Sequence, residues 1–220
     1  MKWREIISQA RLELDDTEPD YLWNDSELLM YAAQAEQEAC RRSRLIIDSS
    51  TAEICNITLI PNQALYPLHD RVIGVRAAYR DGYSRPLCGA TTGEMDTYRS
   101  SWTTTTGDPS TIITDYETGA IRVWPIPQTA GTLRLRVVRL PLISNINPDA
   151  EPEIKPQYHL NLVHWIKHRA YLKKDADTLD KAASMDALQL FIAEFGEARP
   201  AYSTEFDLTH LPVDGLDGTF

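Results

Sequence analysis

The spacing of apolar positions divides the chain into a helical opening, a β-rich middle and a helical close. Trp3, Ile6, Ile7, Ala10 and Leu14 recur at helical intervals, which predicts an amphipathic helix over 2–15, ended by Asp15-Asp16-Thr17-Glu18-Pro19. A second helix is expected where Asn24 can cap the backbone and Glu27 can reach back, running to about Asp48. Its predicted face of Leu28, Ala32, Ala35, Ala39 and Ile46 is rich in alanine, which lets a neighbouring helix approach closely. Its basic end, Arg41-Arg42-Ser43-Arg44, suits the negative end of the helix dipole.

From Ile54 to about Leu142 the period changes to alternation, with β-branched and aromatic residues between turn residues. Ile57-Thr58-Leu59 and Leu65-Tyr66-Pro67-Leu68 flank a turn at Asn62-Gln63. Val72 to Arg80 runs into Asp81-Gly82, a hairpin signal, before Ser84 to Cys88. A short helix is expected over 93–102, followed by the polar loop Thr103 to Asp108. Ile112-Ile113-Thr114 and Ile121-Arg122-Val123-Trp124 flank Glu117-Thr118-Gly119, and Leu133 to Val137 alternates, so that one face is buried and one solvated.

Past a proline-marked connector, Pro141 to Pro156, a helix is predicted over 157–174, with Leu160, Val163, Ile166 and Ala170 on one side. Asp175-Ala176-Asp177 turns the chain. A last helix, 178–195, is expected to bury Leu179, Ala182, Ala183, Leu188, Phe191 and Ile192 and to stop at Gly196. Because helices return after the strands, the predicted class is α+β. The expected layout is a helical bundle from N- and C-terminal helices (1–53 and 143–202) carrying an inserted antiparallel β domain (54–142), with an extended C-terminal arm (203–220). The arm mixes Phe206, Leu208, Leu211, Val213, Leu216 and Phe220 with Glu205, Asp207, Asp214 and Asp217 and has no Lys or Arg. An apolar, aperiodic tail is costly to leave in water; it reads equally as a segment that docks on a partner or as a frayed terminus.

Composition narrows the class. The chain has 220 residues, with 43% hydrophobic and 25% charged, in the globular range and enough to bury a sizeable core. No stretch approaches the roughly 18 apolar residues of a membrane span, and the start lacks a signal-peptide core. These features predict a protein made in the cytoplasm with no membrane association. Cys40, Cys55 and Cys88 form no metal or disulfide pattern and read as buried free thiols. A net charge of -10 argues against tight sequence-independent DNA binding, which needs basic residues to release counterions from phosphate.

Candidate chemistry is thin. His164 and His168 share the i, i+4 spacing of a zinc protease, but Trp165 stands where that motif needs its glutamate and His159 is off register. Asp175 to Asp180 lacks the central Gly and closing Glu of a calcium loop. No nucleotide-binding or nucleophile-elbow motif occurs, and Ser8, Ser26 and Ser203 have no nearby His. Arg134, Arg136 and Arg139 could form a basic strip with Trp124, although alternating arginines usually mark the solvated face of a strand. No catalytic, cofactor or metal residue is therefore expected, and no enzyme activity.

Several segments in order resemble the head-tail adaptor proteins of tailed bacteriophages, especially short-tailed ones. They are Trp23-Asn24-Asp25-Ser26-Glu27-Leu28-Leu29 with the following alanine-rich helix and Arg41-Arg42; Gly107-Asp108-Pro109; Trp124-Pro125-Ile126-Pro127; Arg139-Leu140-Pro141; Pro152-Glu153-Ile154; and Tyr158 to Trp165 with Arg169-Ala170-Tyr171 and Asp175. The family's usual Gly in the turn near Asn62 is absent. The resemblance implies a ring of twelve copies beneath the portal protein, joined to a tail or nozzle protein in the virion, with double-stranded DNA passing through its channel without sequence-specific binding. It also implies that the carboxy-terminal arm reaches the portal, with Phe206, Leu208, Leu211 and Phe220 burying against the portal or a neighbouring subunit. A neck stopper or tail-completion protein is the alternative, and an acidic hydrolase or binding module a more distant one.

Overall fold

The computed structural model describes residues 1–142, 147–175 and 178–198. It is a mixed α+β fold in two compact units, Met1–Ile46 with Leu140–Ala198, and Ile47–Arg139.

In the first unit, α1 (Trp3–Glu13) and α2 (Asp25–Ser43) precede the β-rich unit, and α5 (Leu162–Ala170) and α6 (Lys181–Phe195) follow it. Helix α5 packs against the other three. Trp3, Ile6, Ile7, Ala10 and Leu14 all enter the core with Leu28, Ala32, Ala35 and Ala39, joined by Val163, Ile166, Phe191 and Phe195. The buried alanines of α2 keep its inner face narrow, which lets a neighbouring helix approach closely. Asn24 accepts from the Glu27 N–H at 2.8 Å while Glu27 accepts from the Asn24 N–H at 3.1 Å, the reciprocal cap expected from the sequence.

Three helix boundaries differ from expectation. Helix α2 stops at Ser43 rather than near Asp48: Arg44 adopts a left-handed conformation, φ 53°, and the β-branched pair Ile46-Ile47 begins strand β1 (Ile46–Asp48). The predicted helix 157–174 is a 3-10 turn, Pro156–Tyr158, followed by the shorter α5. The start of α6 moves to Lys181 because Asp180 accepts from the Ala182 and Ala183 N–H groups.

The second unit holds the remaining elements: α3 (Ala52–Cys55), β2 (Asn56–Leu59), β3 (Leu65–Pro67), β4 (Val72–Arg80), β5 (Cys88–Ala90), α4 (Thr92–Tyr98), β6 (Thr106–Gly107), β7 (Thr111–Ile113), β8 (Ala120–Trp124), β9 (Ile126–Pro127) and β10 (Gly131–Arg139). Strand β10 organises one sheet, pairing antiparallel with β4 and with β2, with β1 also beside it. A second sheet runs β3-β8-β7-β5, and β6 pairs with β9 in parallel.

The β7–β8 pair is the hairpin that Glu117-Thr118-Gly119 predicted. The other two predicted hairpins do not form. The chain turns at Asn62, but β2 lies in the first sheet and β3 in the second, so the turn carries the chain between sheets. Asn62 takes the left-handed conformation itself, φ 63°, doing the work of the absent glycine. At Asp81-Gly82 the chain also reverses, and the Leu87 N–H donates to the Ala78 carbonyl at 2.8 Å. The ladder partner of β4 is nevertheless β10, while β5 pairs in parallel with β7. The predicted helix 93–102 is α4, which ends at Tyr98.

Candidate assembly surfaces

The buried polar groups of both units act as fasteners. In the helical unit Arg11, 8% exposed, donates to Asp16 at 2.5 Å, to Asp25 at 2.7 Å and to the Trp23 carbonyl at 2.9 Å. Its guanidinium also stacks on the Tyr21 ring, 3.9 Å from the centroid. Asp16 in turn accepts from the Leu22 N–H, so one arginine fixes the whole α1–α2 loop. At the far end of α2, Arg42 donates to the Gly196 carbonyl at 3.0 Å and the Ser43 hydroxyl to the Phe195 carbonyl at 2.6 Å. The C-terminus of α6 is thereby pinned to the C-terminus of α2.

In the β unit the incoming and outgoing strands are clasped by a buried ion pair. Arg139 Nε donates to Asp48 at 2.6 Å, with side chains 10% and 5% exposed. Asp48 also accepts from the Ser50 and Thr51 N–H groups and both hydroxyls. Burial alone would raise the Asp48 pKa, but the hydrogen bonds from Thr51, Ser50 and Arg139 outweigh it and hold the carboxyl well below the usual carboxylate range. Burial and the neighbouring Asp48 charge push the Cys55 thiol up. Cys40 and Cys55 are buried as expected, whereas Cys88 is exposed.

The clasp takes Arg139 out of the candidate basic strip and off the solvated face expected for it. Arg139 shares the odd phase of Leu133, Leu135 and Val137, the buried row of β10, so it turns inward to Asp48. Arg134 and Arg136 take the opposite phase. Trp124 belongs to the other sheet and stacks with Arg99.

The histidines hold the fold. His159 is fully buried and its Nε2 donates to the Ile154 carbonyl at 2.8 Å. His168 Nδ1 donates to the Ser184 carbonyl at 3.0 Å, and the Ser184 hydroxyl donates to the His168 carbonyl at 3.1 Å. With Nδ1 committed as a donor, His168 cannot take a proton from Ser184 there, and the pair is a helix-to-helix fastener rather than an activated nucleophile. Burial lowers the pKa of both His164 and His168. Among the described residues no group of three or more His, Cys, Asp or Glu could hold a metal ion.

Helix α6 departs most from its predicted face. Ser184, Ala187, Phe191 and Phe195 point inward, whereas Leu179, Met185 and Leu190 are 46%, 51% and 52% exposed. The outer side carries Met185 and Leu190 among Lys181, Asp186, Gln189 and Glu194, which blurs the period, so the inward face was set by packing and by the Ser184–His168 fastener. Phe206, Leu208, Leu211 and Phe220, the residues expected to contact a partner, lie outside the described residues.

The chain belongs to the SU10 adaptor protein family, whose model matches residues 1–210. This is a structural family of phage head-tail adaptors and not an enzyme family, which places the chain among virion components that link portal and tail proteins. No curated protein matches the chain. No helix among the described residues is long and apolar enough to cross a membrane.

Proposed function

We propose that the protein is a head-tail adaptor of a short-tailed phage that docks beneath the portal as a ring of twelve copies, links it to a tail or nozzle protein, and lines the channel through which the genome is retained and later ejected. Helix α5 and the three helices around it, α1, α2 and α6, act as the ring-forming bundle. Residues 203–220 form the arm to the portal, anchored there by Phe206, Leu208, Leu211 and Phe220, since large apolar anchors carry most of the energy of such contacts.

The observation that carries this reading is the pair of large apolar side chains, Met185 and Leu190, exposed on α6 ahead of its pinned C-terminus. Exposed Met185 and Leu190 offer apolar anchors to a covering partner, and the bonds from Arg42 and Ser43 fix the C-terminal end of α6. Charge supports the channel role. Residues 47–139 contain nine arginines and nine acids, so the whole net charge of -10 falls outside the β unit. An acidic helical wall repels phosphate and lets DNA slide.

The test is co-sedimentation with the cognate portal ring, using the full chain and a chain ending at residue 202. The full chain is expected to travel with portal and the shortened chain to remain behind. Equal recovery of both would remove the arm from the account, and failure of both would remove portal docking.

A further inference from the structure

The β unit carries no lysine; all nine of its basic side chains are arginines. Most are engaged internally, as Arg139 is by Asp48 and Arg80 by Asp108 at 3.1 Å, and Arg122 lies over the rings of Trp102 and Tyr116. A group of three is different. Arg134 is exposed and Arg136 half-buried on the row of β10 opposite Leu133, Leu135 and Val137. A bulge in β4 then places two residues, Arg76 and Ala77, opposite Arg136. Among the described residues neither Arg76 nor Arg136 meets a carboxylate, and the only acid near Arg134 is Asp81 at 3.9 Å. Among the described residues the Nε atoms of Arg76 and Arg136 are sealed from solvent without an acceptor, so this part of each side chain is packed in place with no carboxylate beside it. Arginine held in this way presents a fixed fork for carboxylates.

The complementary feature lies on the same chain. In the α1–α2 loop Asp15, Glu18 and Asp20 are exposed, and none has an ion-pair partner among the described residues. This loop is already ordered, because Arg11 grips Asp16 and Asp25 and Asp16 grips the Leu22 N–H. It presents its carboxylates with little ordering cost on binding. Exposed Leu12, Tyr21 and Leu22 beside it supply apolar contact.

We infer that the Arg76–Arg134–Arg136 face of one copy receives the Asp15–Asp20 loop of a second copy, as a head-to-tail contact between neighbours. Two different patches on every copy make a heterologous interface, the type that closes into a ring when its rotation allows. The inference rests on the ring reading and names the surfaces that would build it. Exposed charges of this kind set register and partner choice more than raw affinity, and they weaken with salt.

The test uses three full-length variants: Arg134→Glu with Arg136→Glu, Asp15→Lys with Glu18→Lys, and all four changes in one chain. Circular dichroism confirms that each is folded. Self-association is then measured by sedimentation at rising concentration, without portal, and ring formation is scored separately on the portal. Each paired variant alone is expected to weaken self-association by about tenfold or more, since reversed charges now repel. An equimolar mixture of the two paired variants restores every contact by alternation, and the four-change chain restores it within one protein. Unchanged association of either paired variant overturns the inference, as does failure of both rescues. So does an arginine variant that self-associates normally but loses binding to portal, tail protein or DNA, which hands the face to that partner. A wild type that self-associates without binding portal separates failure of the portal reading from failure of this one; a wild type that does neither overturns both.

Discussion

Removing the carboxylate at Asp48 should unfold the β unit far more readily than its place in the sequence suggests. In the variant Asp48→Ala the Arg139 guanidinium, 10% exposed, loses the 2.6 Å bond to this carboxylate, and the Ser50 and Thr51 N–H and hydroxyl groups lose their acceptor. Breaking one side of a buried ion pair costs about 3–5 kcal/mol, a large share of the roughly 5–15 kcal/mol that holds a domain folded. Replacing both partners, Asp48→Ala with Arg139→Met, removes the two charges together. The loss at Ser50 and Thr51, about 1–2 kcal/mol, is common to both Asp48 variants, and the double variant should cost less than the sum of the two single changes. Native-state hydrogen exchange at the amides of β4 and β10 reads the β unit by itself, which matters in a chain of two units. A loss below about 1 kcal/mol in Asp48→Ala, or simple additivity in the double variant, would refute the clasp. The pH dependence has a definite sign. The Asp48 pKa is depressed in the folded state, so its contribution is complete above the unfolded value of about 3.9 and is lost as pH falls below it. Asp48→Asn should flatten that acid limb.

Three further outcomes follow from the helical unit. Arg11→Met strands Asp16, whose side chain is 4% exposed, and should cost about 3 kcal/mol, read as a lowered Tm in a thermal melt. Ser43→Ala removes the 2.6 Å bond to the Phe195 carbonyl and should cost about 1 kcal/mol, with faster amide exchange in the last turn of α6 and no change in α1. Because burial lowers the pKa of His164 and His168 in the folded state, stability should be full above about pH 6.5 and decline as pH falls below it; His168→Gln should weaken that slope in urea titrations.

What the sequence disclosed was local period. The inner faces of α1 and α2, the Asn24–Glu27 cap, the β7–β8 hairpin and the alternation of β10 all follow from spacing within a few residues. The errors arose where the outcome depended on distant segments. Asn62 and Asp81-Gly82 do turn the chain, but which strand pairs with which was decided by β10, some fifty residues away from β4. A buried ion pair reads in sequence as two ordinary surface charges, which concealed the clasp. Its one legible clue was that Arg139 shares the phase of Leu133, Leu135 and Val137. Helix α6 misled because Met185 and Leu190 put large apolar side chains on its outer side as well, which blurred the period. Arg76 was invisible as a partner of Arg136, since a bulge brings them together and no local pattern announces it.

The central claim is ring assembly under the portal, and mass measurement counts copies directly. Native mass spectrometry of the adaptor mixed with its cognate portal ring should show twelve adaptor chains per portal at saturation, with few partly filled rings. A bound stoichiometry other than twelve, or a protein that stays apart from portal at every concentration, would contradict it.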